Sequence, residues 1–401
     1  MSTPEEPFSF KKIAVPAFGP SILYGVSNGA ILPVIALSAR DLDASVAMSS
    51  LIVALIGIGS LVSNIPAAIV TSRYGERHAM VGAAVLSVLA LLLCIVANHA
   101  WLLGVGVFFI GMASSVFMLA RQGYMIDAVP THMRARALST LAGTMRIGAF
   151  VGPFAGAGLI HFIGLQGAYW VAAIAMIGAG WIAHRAPDMA PPERNRHGSS
   201  TPQAKPRIFD IARTHSRVFL TLGLGILLVS AVRSSRQVVI PLWADHLGMD
   251  PSTTSLIYGL VAAIDMSVFY PAGTLMDRRG RLWVAVPSAL IMGVALLGTA
   301  VSTHIIPFVL VSMLLGLGNG ISSGIVMTLG ADAAPAQGRT EFLGIWRLVS
   351  DMGTSLGPVV LSAVTAVVSL GLAVATMGAF GLGAAAVFWH WLPRKIATPK
   401  S

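Results

Sequence analysis

The 401 residues contain one cysteine, Cys94, set in an apolar run. A disulfide framework and a cysteine-based zinc site are therefore excluded, and Cys94 reads as a small core residue. Charge is also scarce: 10% of residues are Asp, Glu, Lys or Arg, against about a quarter in water-soluble domains. The ten histidines fall in loops or near the ends of apolar runs, so no buried base or zinc cluster stands out. No Gly-x-x-x-x-Gly-Lys-Ser/Thr loop occurs, which removes the usual phosphate cradle and with it ATP as a direct energy source. Gly320-Ile-Ser322-Ser-Gly324 matches a serine-nucleophile pattern in letters only. That pattern needs a strand-to-helix elbow, and here it sits inside an apolar helical run. An enzyme is not expected, and no cofactor or metal is implied.

Apolar residues are abundant instead. They make up 55% of the chain, and the mean hydropathy is +0.79. The solvent for such a surface is lipid, and in lipid the 42 glycines and 22 prolines are tolerated inside packed helices. Runs long enough to span, about 20 residues each, cover 14–38, 46–70, 79–97, 100–126, 137–161 and 167–184. A second set covers 217–243, 252–276, 283–301, 305–331, 342–367 and 371–392. The expected fold is all-α and polytopic, with twelve transmembrane helices in two pseudo-symmetric six-helix bundles. The halves are 1–186 and 217–401, and the Pro-, Ser- and charge-rich stretch 187–216 between them is a cytoplasmic linker. Within it, the segment from Arg207 to Phe219 reads as a short amphipathic helix at the membrane surface. The start, with acids before Lys11 and Lys12 and no cleavage site near Ala36, reads as leading into a retained span.

The 26 Lys and Arg fix an expected orientation. With a cytoplasmic N-terminus, twenty of them face the cytoplasm, only Arg40 lies outside, and the remainder are within spans. This positive-inside bias places both termini in the cytoplasm, in the cytoplasmic (plasma) membrane. The formal net charge of +10 is thus a topology device with attraction for anionic lipid, not a nucleic-acid footprint.

An internal repeat supports the two halves. A shift of 205 residues superimposes Pro66 on Pro271, Arg73 on Arg278, Gly75 on Gly280 and Gly111 on Gly316. It also superimposes Asp127, Pro130 and Arg134 on Asp332, Pro335 and Arg339, and Gly148, Gly152 and Pro153 on Gly353, Gly357 and Pro358. The first pair of spans fits a shift of about 208 better, which suggests a small indel near the first outer loop.

Two stretches carry a family likeness. Gly273-Thr-Leu-Met-Asp277-Arg278-Arg-Gly280-Arg281 resembles the cytoplasmic-loop signature of the major facilitator superfamily, with a decayed first-half copy in which Arg73 and Gly75 persist, Ser72 takes the aspartate slot and Ala68 the first glycine slot. The resemblance implies a charge latch on the cytoplasmic gate. The fifth span, Gly148-x-x-x-Gly152-Pro153-x-x-Gly156, is similar to the signature of the superfamily's proton-coupled drug exporters. Glycines four apart clear a helix face and Pro153 bends the helix, so generic packing is the plain alternative.

Seven charges lie inside spans: Arg121, Arg146, Arg233, Arg236, Asp265, Arg347 and Asp351. Each costs about 2.5–3.5 kcal/mol at midplane on insertion scales, so each marks a wet cavity or an ion route. Arg121 lies roughly 9 Å from one face and Asp265 roughly 16 Å, close to midplane. Arg121 reads as tied to Asp127 or a loop carbonyl, or as a cavity residue. Arg347 and Asp351, four apart, share a helix face and pair with each other. Asp265, with no neighbouring base in its own helix, is the first candidate for proton coupling, and Asp351 the second. Asn28, Arg121, Arg146, Arg233, Arg236 and Arg347 are the candidate substrate-cavity residues. Tyr24, Tyr124, Trp243, Tyr258, Phe269, Tyr270 and Trp346 either line the pocket or pack.

The expected activity is alternating access by a monomer, exporting a drug-like or amphipathic small molecule in exchange for protons. Uptake or exchange of an anionic or polar solute is the alternative, favoured by the excess of arginine. A receptor or lipid scrambling protein on the same fold is the reading from a different class.

Overall fold

The computed structural model describes residues 10–130, 133–187, 208–335 and 337–392. The linker expectation for 187–216 falls largely outside these residues. The first half contains α1 (Phe10–Ile31), α2 (Ile35–Asp41), α3 (Val46–Ile95), α4 (Ala100–Ala128), α5 (Arg134–Ile163) and α6 (Gln166–Arg185). Then come two short helices, α7 (Ile208–Thr214) and α8 (Ser216–Val218), and the second half: α9 (Leu224–His246), α10 (Pro251–Arg279), α11 (Leu282–Val301), α12 (Ile305–Ile321), α13 (Ile325–Ala333), α14 (Arg339–Val367) and α15 (Leu370–Trp391).

Eleven continuous helical stretches among the described residues are long and apolar enough to cross a bilayer. One of them, α3, has 50 residues; at a rise of about 1.5 Å each it is more than twice the length one crossing needs. It breaks at Gly75, where φ is 79° and ψ 163°, so α3 crosses twice and the spans number twelve. Gly280 has φ 95° at the equivalent turn of the second half. A side chain at either position would meet the steric penalty of the left-handed region, which is why the repeated loop keeps glycine there. The helix expected within 207–219 forms as α7 and α8, joined to α9 through a π-helical turn at Phe219–Gly223. His215 and Phe219 pack their rings against Phe342 of α14.

Close helix packing within each half uses the glycines of the repeat. A Cβ on Gly148 or Gly152 would overlap the carbonyls of Ile22 and Val26 of α1, and in the second half Gly353 and Gly357 meet Leu227 and Ala231 of α9 in the same way. Gly111 lies on Ile56, and Gly316 on Val261. Every one of these partner pairs is 205 positions apart. The offset therefore holds through the first helix, and the shift of 208 with its indel is corrected: the glycine contacts register the first helix more sharply than scattered letters do.

Candidate functional site

The face carrying the turns at Gly75 and Gly280 and the ends of α4 and α13 also carries the start of α1 and the end of α15, and is called the terminal face below. The opposite, distal face holds the halves together through contacts that obey the repeat. Arg40 pairs with Asp245 at 3.2 Å, and the two are themselves 205 positions apart, so they face each other across the pseudo-twofold axis. On either side of them, Ser252 Oγ donates to the Ala157 carbonyl at 2.9 Å and Ser362 Oγ to the Ala47 carbonyl at 2.7 Å. These two bonds are repeat images of the α5–α10 and α3–α14 contacts, with the serine on a different helix in each.

Beneath this closure lies a cavity of about 240 Å³ between the halves. Its wall combines Tyr24 and Asn28 of α1, Ser60 and Asn64 of α3, Ser114 and Ser115 of α4, Gln237 of α9, and Arg347, Asp351 and Ser355 of α14. Ser115 donates to Asn64 Oδ1 at 2.7 Å, which orients the asparagine amide. Tyr24 is stacked on Phe117, with ring centroids 5.0 Å apart, and so presents a rigid aromatic edge. Arg347 and Asp351 pair as expected, but at 3.8 Å, with side chains 67% and 35% exposed. Arg347, one turn nearer the start of α14, is the more exposed of the two, so the cavity is less enclosed on that side. The lining is hydroxyl, amide and apolar, with a single weak ion pair.

A second polar cluster sits at the α5–α10 contact. Asp265, fourteen residues from either end of α10, accepts from Arg146 Nη1 of the other half at 3.0 Å and from Asn319 Nδ2 at 2.7 Å. Arg236 Nη1 lies 3.7 Å away, an ion pair too long for a hydrogen bond. Arg233 Nε donates to Asn319 Oδ1 at 3.0 Å. Arg146 also bonds Ser323 and lies over the Phe269 ring at 4.4 Å. The Ser323 bond meets the tenth span where it tightens into a 3₁₀ turn, Ser322–Gly324, between α12 and α13. Asp265 has no neighbouring base in its own helix, as the sequence indicates, but bases from α5 and α9 surround it, which no single-helix pattern reveals.

Of the expected cavity residues, Asn28 and Arg347 line the cavity, together with the coupling candidate Asp351, whereas Arg146, Arg233 and Arg236 gather at the second cluster. Arg121 is 6% exposed, and its Nε and Nη1 have no hydrogen-bond partner; the expected tie to Asp127 or a loop carbonyl does not reach these atoms. Of the aromatics, Tyr24 lines the cavity, Tyr258 lies under Arg236, Tyr124 is buried and Tyr270 is 80% exposed. Trp243 and Trp346 donate to the carbonyls of Ser302 and Val326. Ser60, Asn64, Ser115, Gln237 and Ser355 were not singled out from the sequence. The usable signal was the repeat, which places Ser60 at the position of Asp265 and Asn64 at that of Phe269.

In the loop signature, Arg281 is held by Asp332 at 2.7 Å and reaches the Met276 carbonyl. The Asp332 bond pushes the Arg281 pKa up. Asp277 and Arg278 are exposed, as is Arg73 in the first copy. In the fifth span, Gly148 and Gly152 clear their face for α1, and Pro153 meets Gly29 of α1, where a Cβ would lie 2.9 Å from Pro153 Cδ. A Cβ at Gly156 would come no closer than 3.5 Å to Ala30, an ordinary contact. Ser322 lies in a spanning helix and donates to the Asn319 carbonyl, so the serine-nucleophile letters have no elbow.

Two six-helix bundles around a polar cavity, bridged by side chains on the distal face, define a secondary-transporter fold. The family profile described as Major Facilitator Superfamily matches residues 20–264 and 222–401. The chain belongs to that superfamily, and is a non-enzymatic multi-pass membrane transporter. It is similar to Multidrug resistance protein MdtH of Yersinia pestis (strain Pestoides F), at 23% identity over 293 residues, 72% of this chain and 70% of the relative. Among solved structures, a D-xylose–proton symporter superimposes with a TM-score of 0.75 at 16% identity, covering 96% of this chain and 98% of that one. A bacterial homolog of the human lysosomal transporter Spinster gives 0.76 at 14% identity, covering 95% and 96%.

Proposed function

We propose that this chain exports an amphipathic, drug-like small molecule across the plasma membrane in exchange for protons. The observation that carries the reading is the cavity wall: an aromatic edge, hydroxyls and amides surround one weakly paired carboxylate, Asp351. Such a wall offers apolar contact and adaptable hydrogen bonds without a rigid ionic template, as a binder of varied amphipaths requires. The relative named for multidrug resistance and the Gly148–Gly156 signature support export over uptake.

With both termini cytoplasmic, the cavity opens to the cytoplasm, where solute is loaded. Closure of the terminal face and parting of Arg40–Asp245 and the two serine bonds then present it outside. Asp351 is the better placed proton carrier, because it is on the cavity wall and held only loosely by Arg347. Asp265 is engaged by Arg146, Arg236 and Asn319, so it serves as the clasp between halves and releases or gains its partners as they rock. Reporter fusions at the 187–206 linker and at both ends test the orientation: cytoplasmic signals at all three uphold it, and an external linker overturns it. Efflux of fluorescent amphipathic cations and neutral dyes from cells with an imposed pH gradient tests the activity.

A further inference from the structure

The two interfaces between the halves are images of each other in backbone but not in charge. On the α3–α14 side, Arg347 and Asp351 balance. On the α5–α10 side, the repeat puts Arg146 where the other interface has Asp351, and Asp265 where it has Ser60. Arg233 and Arg236 join them from α9. The charges acting on Arg233 are Asp265, Arg146 and Arg236, so three cations share one carboxylate.

Half-buried excess charge of this kind is unfavourable at midplane unless something completes it. The hydrogen bonds also fall short of the donors. Asp265 accepts from Arg146 and Asn319 and has Arg236 Nη1 at an ion-pair distance of 3.7 Å, while Nε and Nη1 of Arg236, both buried, have no hydrogen-bond partner. The side chains of Arg146 and Arg236 keep 22% and 14% exposure, although Nε and Nη1 of Arg236 are themselves buried. Arg236 is also next in sequence to Gln237, which lines the solute cavity. Guanidinium groups with free donors, one pre-oriented by Asn319, form a recognition site for a planar or spherical anion.

We propose that Arg146, Arg233 and Arg236 form an anion site beside the solute cavity, which takes one monoanion: the carboxylate of a transported amphipath or a resident inorganic anion. The Asp265 carboxylate orients the arginines, and the Arg236 fork exchanges its long pair with Asp265 for the incoming anion. Anion binding would cross-brace α5, α9 and α10 at the 3₁₀ turn of the tenth span and so favour the state with the halves in contact there. This narrows the substrate class of the exporter reading and rests on it.

The test is binding, which is separate from flux. Thermal unfolding of the purified full chain in detergent, in a zwitterionic buffer of low ionic strength, is followed with benzoate, benzyl alcohol, benzylammonium or chloride. Benzoate should raise the midpoint saturably, and the alcohol and the cation should not. A benzoate shift that chloride does not reproduce assigns the site to a solute carboxylate, and a shift that chloride alone saturates assigns it to an inorganic anion. Arg236→Gln should weaken the anion by about tenfold, the loss of one charge-assisted hydrogen bond, and Arg236→Lys should weaken it less. Equal responses to the three benzyl compounds, or an unshifted titration in Arg236→Gln, would overturn the site. Since the wild-type comparison decides alone, a poorly folding variant does not obscure the result, and failed binding with intact efflux leaves the exporter reading standing.

Discussion

Arg146 Nη1 and Asp265 Oδ1 meet at 3.0 Å across 119 positions of chain, one residue from each half, near the middle of the membrane. Their side chains are 22% and 13% exposed. Removing one partner of such a pair leaves the other uncompensated, at about 3–5 kcal/mol for a fully buried site, and less here. Asp265→Asn should therefore lower the unfolding midpoint by several degrees. Asp265→Asn with Arg146→Gln should recover part of that loss, because the double variant leaves fewer unpaired charges. Additive losses would remove the clasp.

The drug-exporter-like signature separates into tight and loose glycines. Gly152→Ala drives a methyl into α1 backbone, with the Ala30 nitrogen at 2.7 Å, and overpacking of this kind costs about 1–3 kcal/mol. Gly156→Ala meets Ala30 only at 3.5 Å and should be neutral or slightly stabilising, since it removes backbone freedom from a helix. Midpoints of the two purified variants check this. Equal loss in both would mean the motif is read by something other than α1.

In the loop signature, the bond that closes is Arg281–Asp332, within the second half. Asp332→Asn and Arg281→Gln should thus give matching reductions in transport with normal membrane insertion. Asp277→Asn isolates the latch, because Asp277 is exposed here and its role would be made only when the terminal face closes. Flux measurements on the three variants should show loss in each, with Asp277→Asn leaving the unfolding midpoint unchanged. Wild-type flux in Asp277→Asn would remove the latch.

Asp250 caps α10 outside the membrane, accepting from the Thr253 backbone nitrogen at 2.9 Å and from the Thr253 hydroxyl. These bonds, the hydroxyl first, hold its pKa below the usual carboxylate value. A depressed folded-state pKa means the contribution is present above about pH 4 and fades as pH falls through the folded value. Unfolding midpoints of wild type and Asp250→Ala should differ near neutrality and converge in acid. A constant difference down to pH 3 would show that the cap acts without its charge.

Much of this architecture could be read from the letters, and particular residues show why. Span lengths, the repeat and the Gly280 turn depend on local backbone and lipid chemistry, which a sequence states directly. Gly75 ends a span because φ is positive there, although the helix on either side runs on almost unbroken. The seven intramembrane charges were visible as unfavourable residues, but not how they group. Asp265 sits with Arg146 and Arg236 because three helices from two halves converge, and that is tertiary geometry. The cavity wall was least legible. Ser60, Asn64 and Ser115 are ordinary small polar residues whose meaning lies in sharing one cavity with Asp351 of the other half.

The most direct test is proton-driven flux in proteoliposomes containing the purified chain, with a fluorescent amphipathic dye and an imposed pH gradient of either sign. The account predicts dye movement against its own gradient when protons run the opposite way, and its abolition in Asp351→Asn with dye exchange retained. Asp265→Asn should slow transport but keep its dependence on the gradient. Gradient-driven accumulation that survives Asp351→Asn and disappears in Asp265→Asn would contradict the assignment, and dye movement indifferent to the pH gradient in wild type would contradict proton-coupled export itself.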